Sequence, residues 1–216
     1  MGRLAAGVVV LALATAGSAL AAGGQPQKRH TPADMAKARS IVLRPADVGA
    51  GWTSKPSTSG GGTPRCKNFQ PDQSDLVETG TADSPDFSKG GGSRYLSSSA
   101  GVFKTAAQAQ ASWNRVVKPG LLTCLQSLFE QGASSGGTTT KVTGTGVLSL
   151  PKLAARTAGY RLFFVASNAS VSLKGAVDVV LLGHGRIDSV LLYVAFGTPS
   201  QALERRLAGI IASRIA

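Results

Sequence analysis

The sequence predicts a single α+β domain, in which a mostly antiparallel sheet of about five strands packs against helices and a C-terminal helix lies on the sheet. Three observations support this fold class. The last third of the chain contains three runs dense in β-branched and aromatic residues, each bounded by turn residues. Apolar residues at helical spacing follow the third run. The length of 216 residues suits one domain with one sizeable core.

The three runs cover residues 160–165, 175–182 and 187–196, and each is predicted to be a strand. Gly183-His-Gly-Arg186 predicts a short hairpin between the last two, because its glycines can adopt positive φ. Thr198-Pro199 is typical of a helix start, with a hydroxyl N-cap and a proline at the first helical position. The apolar residues that predict the last helix are Leu203, Leu207, Ile210, Ile211 and Ile215.

Shorter elements are predicted upstream. A cap at Thr31 precedes a short helix that reaches Ser40, and Pro45 begins a single helical turn. Residues 53–92 are rich in Ser, Gly, Pro and Asp and lack periodicity, which predicts a long loop. The remaining predictions are strands at 93–103 and 141–150 and helices at 106–117 and 121–131.

The N-terminus has the pattern of a signal peptide at residues 1–21. An apolar segment at 4–16 is followed by small residues at Ala19 and Ala21, which predicts cleavage after residue 21. A retained membrane anchor is the alternative, because the stretch approaches the length needed to span a bilayer. Residues 22–31 are polar and predict a flexible leader, and 32–216 form the single domain.

The charge balance is strongly basic, with 23 lysines and arginines against 11 aspartates and glutamates, for a net charge of +12. The basic residues are dispersed and do not alternate with aromatic residues, which argues against a nucleic-acid partner. They predict weak, salt-sensitive attraction to anionic lipid or a cell-wall polymer. The alternative is that the charge serves only solubility.

The chain has two cysteines, Cys66 and Cys124. An exported protein enters an oxidising compartment, and two cysteines allow a single intramolecular pairing, so we predict a disulfide. The pair would tie the predicted loop to the 121–131 helix and stabilise the fold by roughly 4 kcal/mol in the chain-entropy model. Two independent buried thiols are the alternative.

No catalytic, cofactor-binding or metal-binding residue is predicted. His30 and His184 are far apart in the sequence, and no Gly-x-Ser-x-Gly or phosphate-binding motif occurs. Asp178 and Asp188 flank the hairpin almost symmetrically. We predict that they are not a catalytic pair, because Asp178 alternates with valines and should face the more polar side of the sheet.

Several motifs, in this order, resemble a known group of proteins. They are Ile41–Trp52, Cys66, Asp83-Ser-Pro-Asp-Phe87, Val102–Ala109 and Cys124-Leu125. Over residues 36–216 the chain resembles small exported actinobacterial proteins that are similar to the extracytoplasmic sensor-like domains of serine/threonine kinases and related envelope lipoproteins. The resemblance implies a cell-envelope protein with a sensor-like or binding domain on a curved antiparallel sheet. The chain departs from it by lacking a lipid-attached cysteine, a kinase domain and a second disulfide.

The predicted function is therefore an exported cell-envelope protein with a non-catalytic sensor-like or binding domain for a ligand, an anionic polymer or a partner protein. A groove between sheet and helix is expected to involve Trp52, Arg161 and Tyr193, although Trp52 is expected chiefly to pack into the core. The alternative is a small α+β hydrolase or isomerase. An enzyme should aim at least one carboxylate or histidine into the groove, whereas a binding domain should lack clustered titratable groups there.

Overall fold

The computed structural model describes residues 24–57, 62–134 and 137–216, so the predicted signal peptide lies outside the described residues. The strands are β1 (Gln27–Lys28), β2 (Thr53–Lys55), β3 (Val77–Asp83), β4 (Asp86–Lys89), β5 (Arg94–Phe103), β6 (Thr139–Val147), β7 (Arg156–Ser167), β8 (Ser172–His184) and β9 (Ile187–Phe196). The helices are α1 (Pro32–Ile41), α2 (Pro45–Val48), α3 (Ala106–Val116), α4 (Pro119–Ala133) and α5 (Gln201–Ile215).

Within the described residues, the strands form one sheet of nine, in the order β1-β3-β5-β9-β8-β7-β6. β4 pairs with the part of β5 that β3 leaves free, and β2 pairs with β4. The α+β class is confirmed, and the sheet is larger than the five strands expected. The pairing of β1 with β3 is parallel, whereas the other pairings are antiparallel.

The additional strands come largely from residues 53–92, where the sequence predicted a loop. β2, β3 and β4 all lie in this segment. These strands do not alternate clearly between apolar and polar residues, because they are short or lie toward the edge of the sheet. Backbone hydrogen bonds to neighbouring strands stabilise them more than burial of an apolar face does. Gly80 in β3 lies where α1 crosses the strand. A Cβ atom there would lie 2.4 Å from the backbone oxygen of Asp34, so glycine allows α1 to cross the strand closely.

One face of the sheet, here called the α5 face, is covered by α1, α2 and α5. Its core includes Leu191, Tyr193, Leu207 and Ile211, all fully buried. The C-terminal helix therefore lies on the sheet as predicted. It begins at Gln201, two residues beyond the predicted start, because the side chain of Ser200 accepts the capping hydrogen bond from the backbone of Leu203.

The opposite face, here called the α4 face, is covered only in part, by α3 and α4. Phe129 on α4 packs against Phe164, whose ring meets Phe196 edge to face. The structure contains the predicted disulfide between Cys66 and Cys124, which attaches the 62–69 segment to α4. No helix in the described part of the chain is both long and apolar enough to cross a membrane.

Candidate functional site

A groove of about 510 Å³ lies on the α4 face, between the sheet and helices α3 and α4. Its floor is made by alternate residues of β7, β8 and β9, and its wall by α3 and α4. The apolar residues of the floor are Leu162, Val177, Val179, Leu181, Val190 and Leu192. Those of the wall are Trp113, Val116, Leu121, Leu125, Leu128 and Phe129. The groove is therefore mainly aliphatic and aromatic.

The groove exists because β8 and β9 are apolar on both faces while the helices cover one face more completely than the other. Strands buried on both sides carry near-continuous apolar runs. On the α5 face, Val180 and Leu191 are fully buried. On the α4 face, Leu181, Val190 and Leu192 remain half-buried and line the groove. Apolar side chains thus stay accessible on a preformed concave surface.

Strand β5 gives the groove a polar side. Ser97, Ser99 and Gly101 alternate along the strand on the α4 face, and all three line the groove. Asp188 on β9 lies opposite Gly101 in the strand register. Glu78 on β3 also lines the groove, and its Oε1 would lie 2.9 Å from a Cβ atom on Gly101. The two carboxylates therefore flank the same glycine.

Both of these carboxylates are poorly solvated. Burial raises the pKa of Asp188 to about 6, although the Arg156 guanidinium, whose Nη2 donates to Asp188 Oδ1 at 3.0 Å, opposes the shift. Arg156 in turn lies over the ring of Trp113, at 5.8 Å from the ring centroid. Burial also raises the pKa of Glu78, and the positive charge of Lys28 opposes that shift.

The three residues expected in the groove lie on or against the α5 face. Tyr193 is fully buried there, and its hydroxyl accepts from the backbone N–H of Ser200 at 3.4 Å. Trp52 packs against the same core. Arg161 pairs with Asp178. None of them lines the groove. Arg161 and Tyr193 are excluded because it is their strand neighbours, Leu162 and Leu192, that point to the α4 face.

The structure corrects the expected environment of Asp178. It faces away from its neighbouring valines, but that side is the α5 face and the carboxylate is fully buried. Asp188 lies on the α4 face, so the two carboxylates are on opposite sides of the sheet and cannot act as a pair. The α5 face is closed over Asp178 because α5 packs on it.

A buried cluster of charged groups joins α5 to the sheet. Arg161 Nε and Nη2 donate to the two oxygens of Asp178, at 2.6 Å each. The side chain of Glu204 on α5 is only 2% exposed, and its Oε2 lies 3.6 Å from Arg161 Nη2. Burial, together with a hydrogen bond to Asp178, raises the pKa of Glu204 to about 8. Glu204 is therefore mainly protonated at neutral pH.

This protonation makes stability depend on pH. The pKa of Glu204 is about 8 in the folded protein against 4.5 for an ordinary glutamate. The folded state thus binds the extra proton, and its stabilisation is lost as pH rises toward the folded pKa. Between about pH 6.5 and 9, unfolding by urea should become easier by about 2 kcal/mol. Glu204→Gln, which keeps a neutral side chain, should remove most of this slope.

The control is Asp75→Asn, which removes an exposed carboxylate whose pKa is lowered by Arg115 and which does not titrate in this pH range. It should keep the wild-type slope. A Glu204→Gln variant with an unchanged slope would show that Glu204 is ionised throughout.

In the part of the chain that the structure describes, the histidines and acids do not form a metal site. His30 Nε2 lies 3.9 Å from Glu78 Oε2, and His184 ends β8 at the exposed hairpin. Across residues 24–57, 62–134 and 137–216, no group of three or more histidine, cysteine, aspartate or glutamate side chains is arranged to hold a metal ion.

Comparisons with known proteins find similarity in solved structures and none in protein families or curated proteins. No protein-family model matches the chain, and no curated protein matches it. The extracellular domain of PknH from Mycobacterium tuberculosis is similar to this structure with a TM-score of 0.49 and 13% sequence identity. The similarity covers 86% of this chain and 98% of that one.

Proposed function

We propose that this chain is an exported cell-envelope protein whose domain binds an apolar or amphipathic small molecule, without catalysing a reaction on it. The observation that carries the proposal is the groove of about 510 Å³ on the α4 face. Its volume falls within the range of roughly 300–1,000 Å³ that small-molecule sites occupy, and such sites are mostly apolar with a few polar groups.

The half-buried floor of the groove supports a bound ligand energetically. Leu181, Val190 and Leu192 keep part of their apolar surface accessible to water. Covering apolar surface contributes roughly 25 cal/mol per Å², so an apolar ligand would gain affinity from this surface. The disulfide at Cys124 fixes α4, which limits the conformational cost of binding.

Export is supported by the signal-peptide pattern at residues 1–21 and by the disulfide. The net charge of +12 supports a second, weaker association with anionic lipid or wall polymer through the outer surface. That association would be distinct from ligand binding in the groove.

The hydrolase or isomerase alternative has one observation in its favour. Asp188 lines the groove with a pKa of about 6, as a general base would require. Against it, the Asp188 carboxylate is already bonded to Arg156, and no histidine lies among the described groove residues. Binding therefore accounts for the groove with fewer assumptions than catalysis.

The proposal can be tested with a neutral fluorescent probe such as N-phenyl-1-naphthylamine. The wild-type protein should bind it saturably. Val190→Trp places a large ring in the groove and should weaken binding by about tenfold or more, a loss of about 1.4 kcal/mol. Val147→Trp is the matched control, because Val147 is 78% exposed on β6, and it should bind the probe normally.

Both variants should be compared at equal folded fraction, measured by thermal unfolding. Non-saturable fluorescence in the wild type, or equal affinity in the two tryptophan variants, would contradict a binding site in the groove.

A further inference from the structure

We infer that the protein binds the surface of an anionic phospholipid membrane through the outer side of the layer formed by α1, α2 and α5. The contact is made by a basic cluster, which consists of Lys37, Arg44, Arg206 and Arg214 around Asp47. This inference rests on the weaker association with anionic envelope components proposed above, and it adds the surface and the partner.

The basic cluster forms where the three helices meet. Arg214 of α5 donates to both carboxylate oxygens of Asp47, at 2.9 and 2.8 Å, and to the backbone oxygen of Val42 at 2.9 Å. Arg206, about two turns earlier on α5, donates to the backbone oxygen of Asp47 at 2.7 Å. Lys37 of α1 donates to the backbone oxygen of Arg214 at 3.0 Å. The fold thus gathers basic residues that are far apart in the sequence at one place on the surface.

The basic cluster has more positive charge than its carboxylate can neutralise. Asp47 is paired with Arg214, and its side chain is only 12% exposed. Among the described residues, Arg44 and Arg206 form no ion pair, and Arg44 donates to the backbone oxygen of Ser40 at 3.2 Å. A carbonyl oxygen holds a guanidinium in place without cancelling its charge. Four basic residues against one carboxylate therefore leave three positive charges.

The groups that carry this excess charge are accessible. Lys37, Arg44 and Arg206 are all exposed. A guanidinium has five N–H donors, and the bonds to carbonyl oxygens occupy only part of that set in Arg44 and Arg206. The donors that remain can bind phosphate oxygens in pairs, because the planar guanidinium matches the geometry of a phosphate group. The headgroup phosphates of a phospholipid therefore fit the basic cluster.

The rest of the helix layer extends the positive surface, which favours a membrane as the partner. Arg39 on α1 and Arg205 on α5 are also exposed, and neither forms an ion pair in the part of the chain that the structure describes. Of the acids in this layer, Asp34 pairs with Arg186 from the β8–β9 hairpin, and Glu204 is buried. A membrane presents phosphates over a broad plane, so it can meet Arg39, Arg205 and the basic cluster together. A free phosphate ion can meet only one or two of these groups.

The basic cluster and the groove lie on opposite sides of the sheet. The α1, α2 and α5 layer covers the α5 face, whereas the groove is on the α4 face. Membrane binding therefore leaves the groove uncovered, and the two associations can be measured independently.

The test is cosedimentation with vesicles of phosphatidylglycerol and phosphatidylcholine at physiological ionic strength. The wild-type protein should bind these vesicles and should not bind vesicles of phosphatidylcholine alone. The Arg44→Gln, Arg206→Gln double variant should bind the anionic vesicles about tenfold more weakly, because each basic residue near an anionic membrane contributes roughly fivefold.

The Lys67→Gln, Lys118→Gln double variant is the matched control. It removes the same charge from two exposed residues, which adjoin α4 on the other side of the sheet. The Debye length is roughly 8 Å at this ionic strength, so these distant charges should change vesicle binding by less than about threefold.

Thermal unfolding checks that each variant is folded. The Lys37→Gln, Arg39→Gln double variant gives a second measurement, because both side chains are exposed and only that of Lys37 makes a hydrogen bond among the described residues, to a backbone oxygen. It should weaken binding to the anionic vesicles several-fold. All three double variants should bind N-phenyl-1-naphthylamine in the groove as the wild type does.

The outcomes distinguish this inference from its alternatives. Absence of wild-type binding to anionic vesicles would overturn it, and equal losses in the arginine and lysine variants would assign the attraction to overall charge instead. Tighter binding of soluble polyphosphate than of vesicles, at equal phosphate concentration, would assign the basic cluster to a polymer and contradict a membrane partner. Displacement from vesicles by inorganic phosphate, beyond the effect of chloride at equal ionic strength, would contradict it too. Failure of the wild type to bind the neutral probe would overturn ligand binding in the groove and leave membrane binding intact.

Discussion

Replacing Arg161 with methionine is expected to lower the free energy of unfolding by about 3–5 kcal/mol, the usual cost of breaking a buried ion pair on one side. The guanidinium is the bidentate partner of Asp178, a fully buried carboxylate. Without it, Asp178 would lie beside Glu204 under α5 with no compensating charge. Urea unfolding at neutral pH, followed by circular dichroism, measures the loss.

Arg115→Met is the matched control, because Arg115 forms an ion pair with Asp75 at the surface, where the Asp75 side chain is 62% exposed. Exposed pairs of this kind contribute about 0–1 kcal/mol. Converting the whole buried cluster to apolar residues, with Arg161→Met, Asp178→Leu and Glu204→Leu, should recover much of the lost stability. If Arg161→Met lowered the free energy of unfolding no more than Arg115→Met does, the idea that Asp178 needs a buried positive partner would be wrong.

Removing the disulfide is expected to lower the free energy of unfolding by an amount similar to that for Arg161→Met. Cys66 and Cys124 are 58 residues apart, and opening a loop of that length costs about 4 kcal/mol in the chain-entropy model. The Cys66→Ala, Cys124→Ala double variant should therefore unfold at a clearly lower urea concentration. It should also bind the neutral probe less tightly, because the disulfide holds α4 against the groove.

Wild-type protein treated with a reductant is the control and should match the double variant in stability. Intact mass with and without the reductant, followed by peptide mapping, establishes the pairing. Two free thiols in protein purified from an oxidising compartment would contradict it, as would equal stability of the oxidised and reduced forms.

The sequence predicts the elements of the last third well, because their hydrophobic signals are strong. The strands at 160–165, 175–182 and 187–196 lie within β7, β8 and β9, which extend further at several ends. The sequence does not predict which face of these strands the groove occupies. β8 and β9 are apolar on both sides, so alternation cannot tell which side is covered completely by helices.

Glu204 shows a second limit. A charged residue on an amphipathic helix is normally expected to face solvent, yet the position of Glu204 in the helical repeat is on the buried side. It precedes Leu207, Ala208 and Ile211 at helical spacing, and all of these are buried. That spacing is the feature of the sequence that indicates burial of Glu204. The compensating residue, Arg161, is distant in sequence and on another element, so only the fold brings the two together.

The two ends of the sheet bear on how copies of this protein behave at high concentration. β6 has no second strand neighbour among the described residues, and β1 at the other end has only two residues. Exposed edges invite strand addition and fibril growth, which short edge strands, lysines and bulges oppose. β6 carries Lys141 and a register shift between Val142 and Gly144. Both ends of the sheet therefore have features that discourage edge-to-edge aggregation.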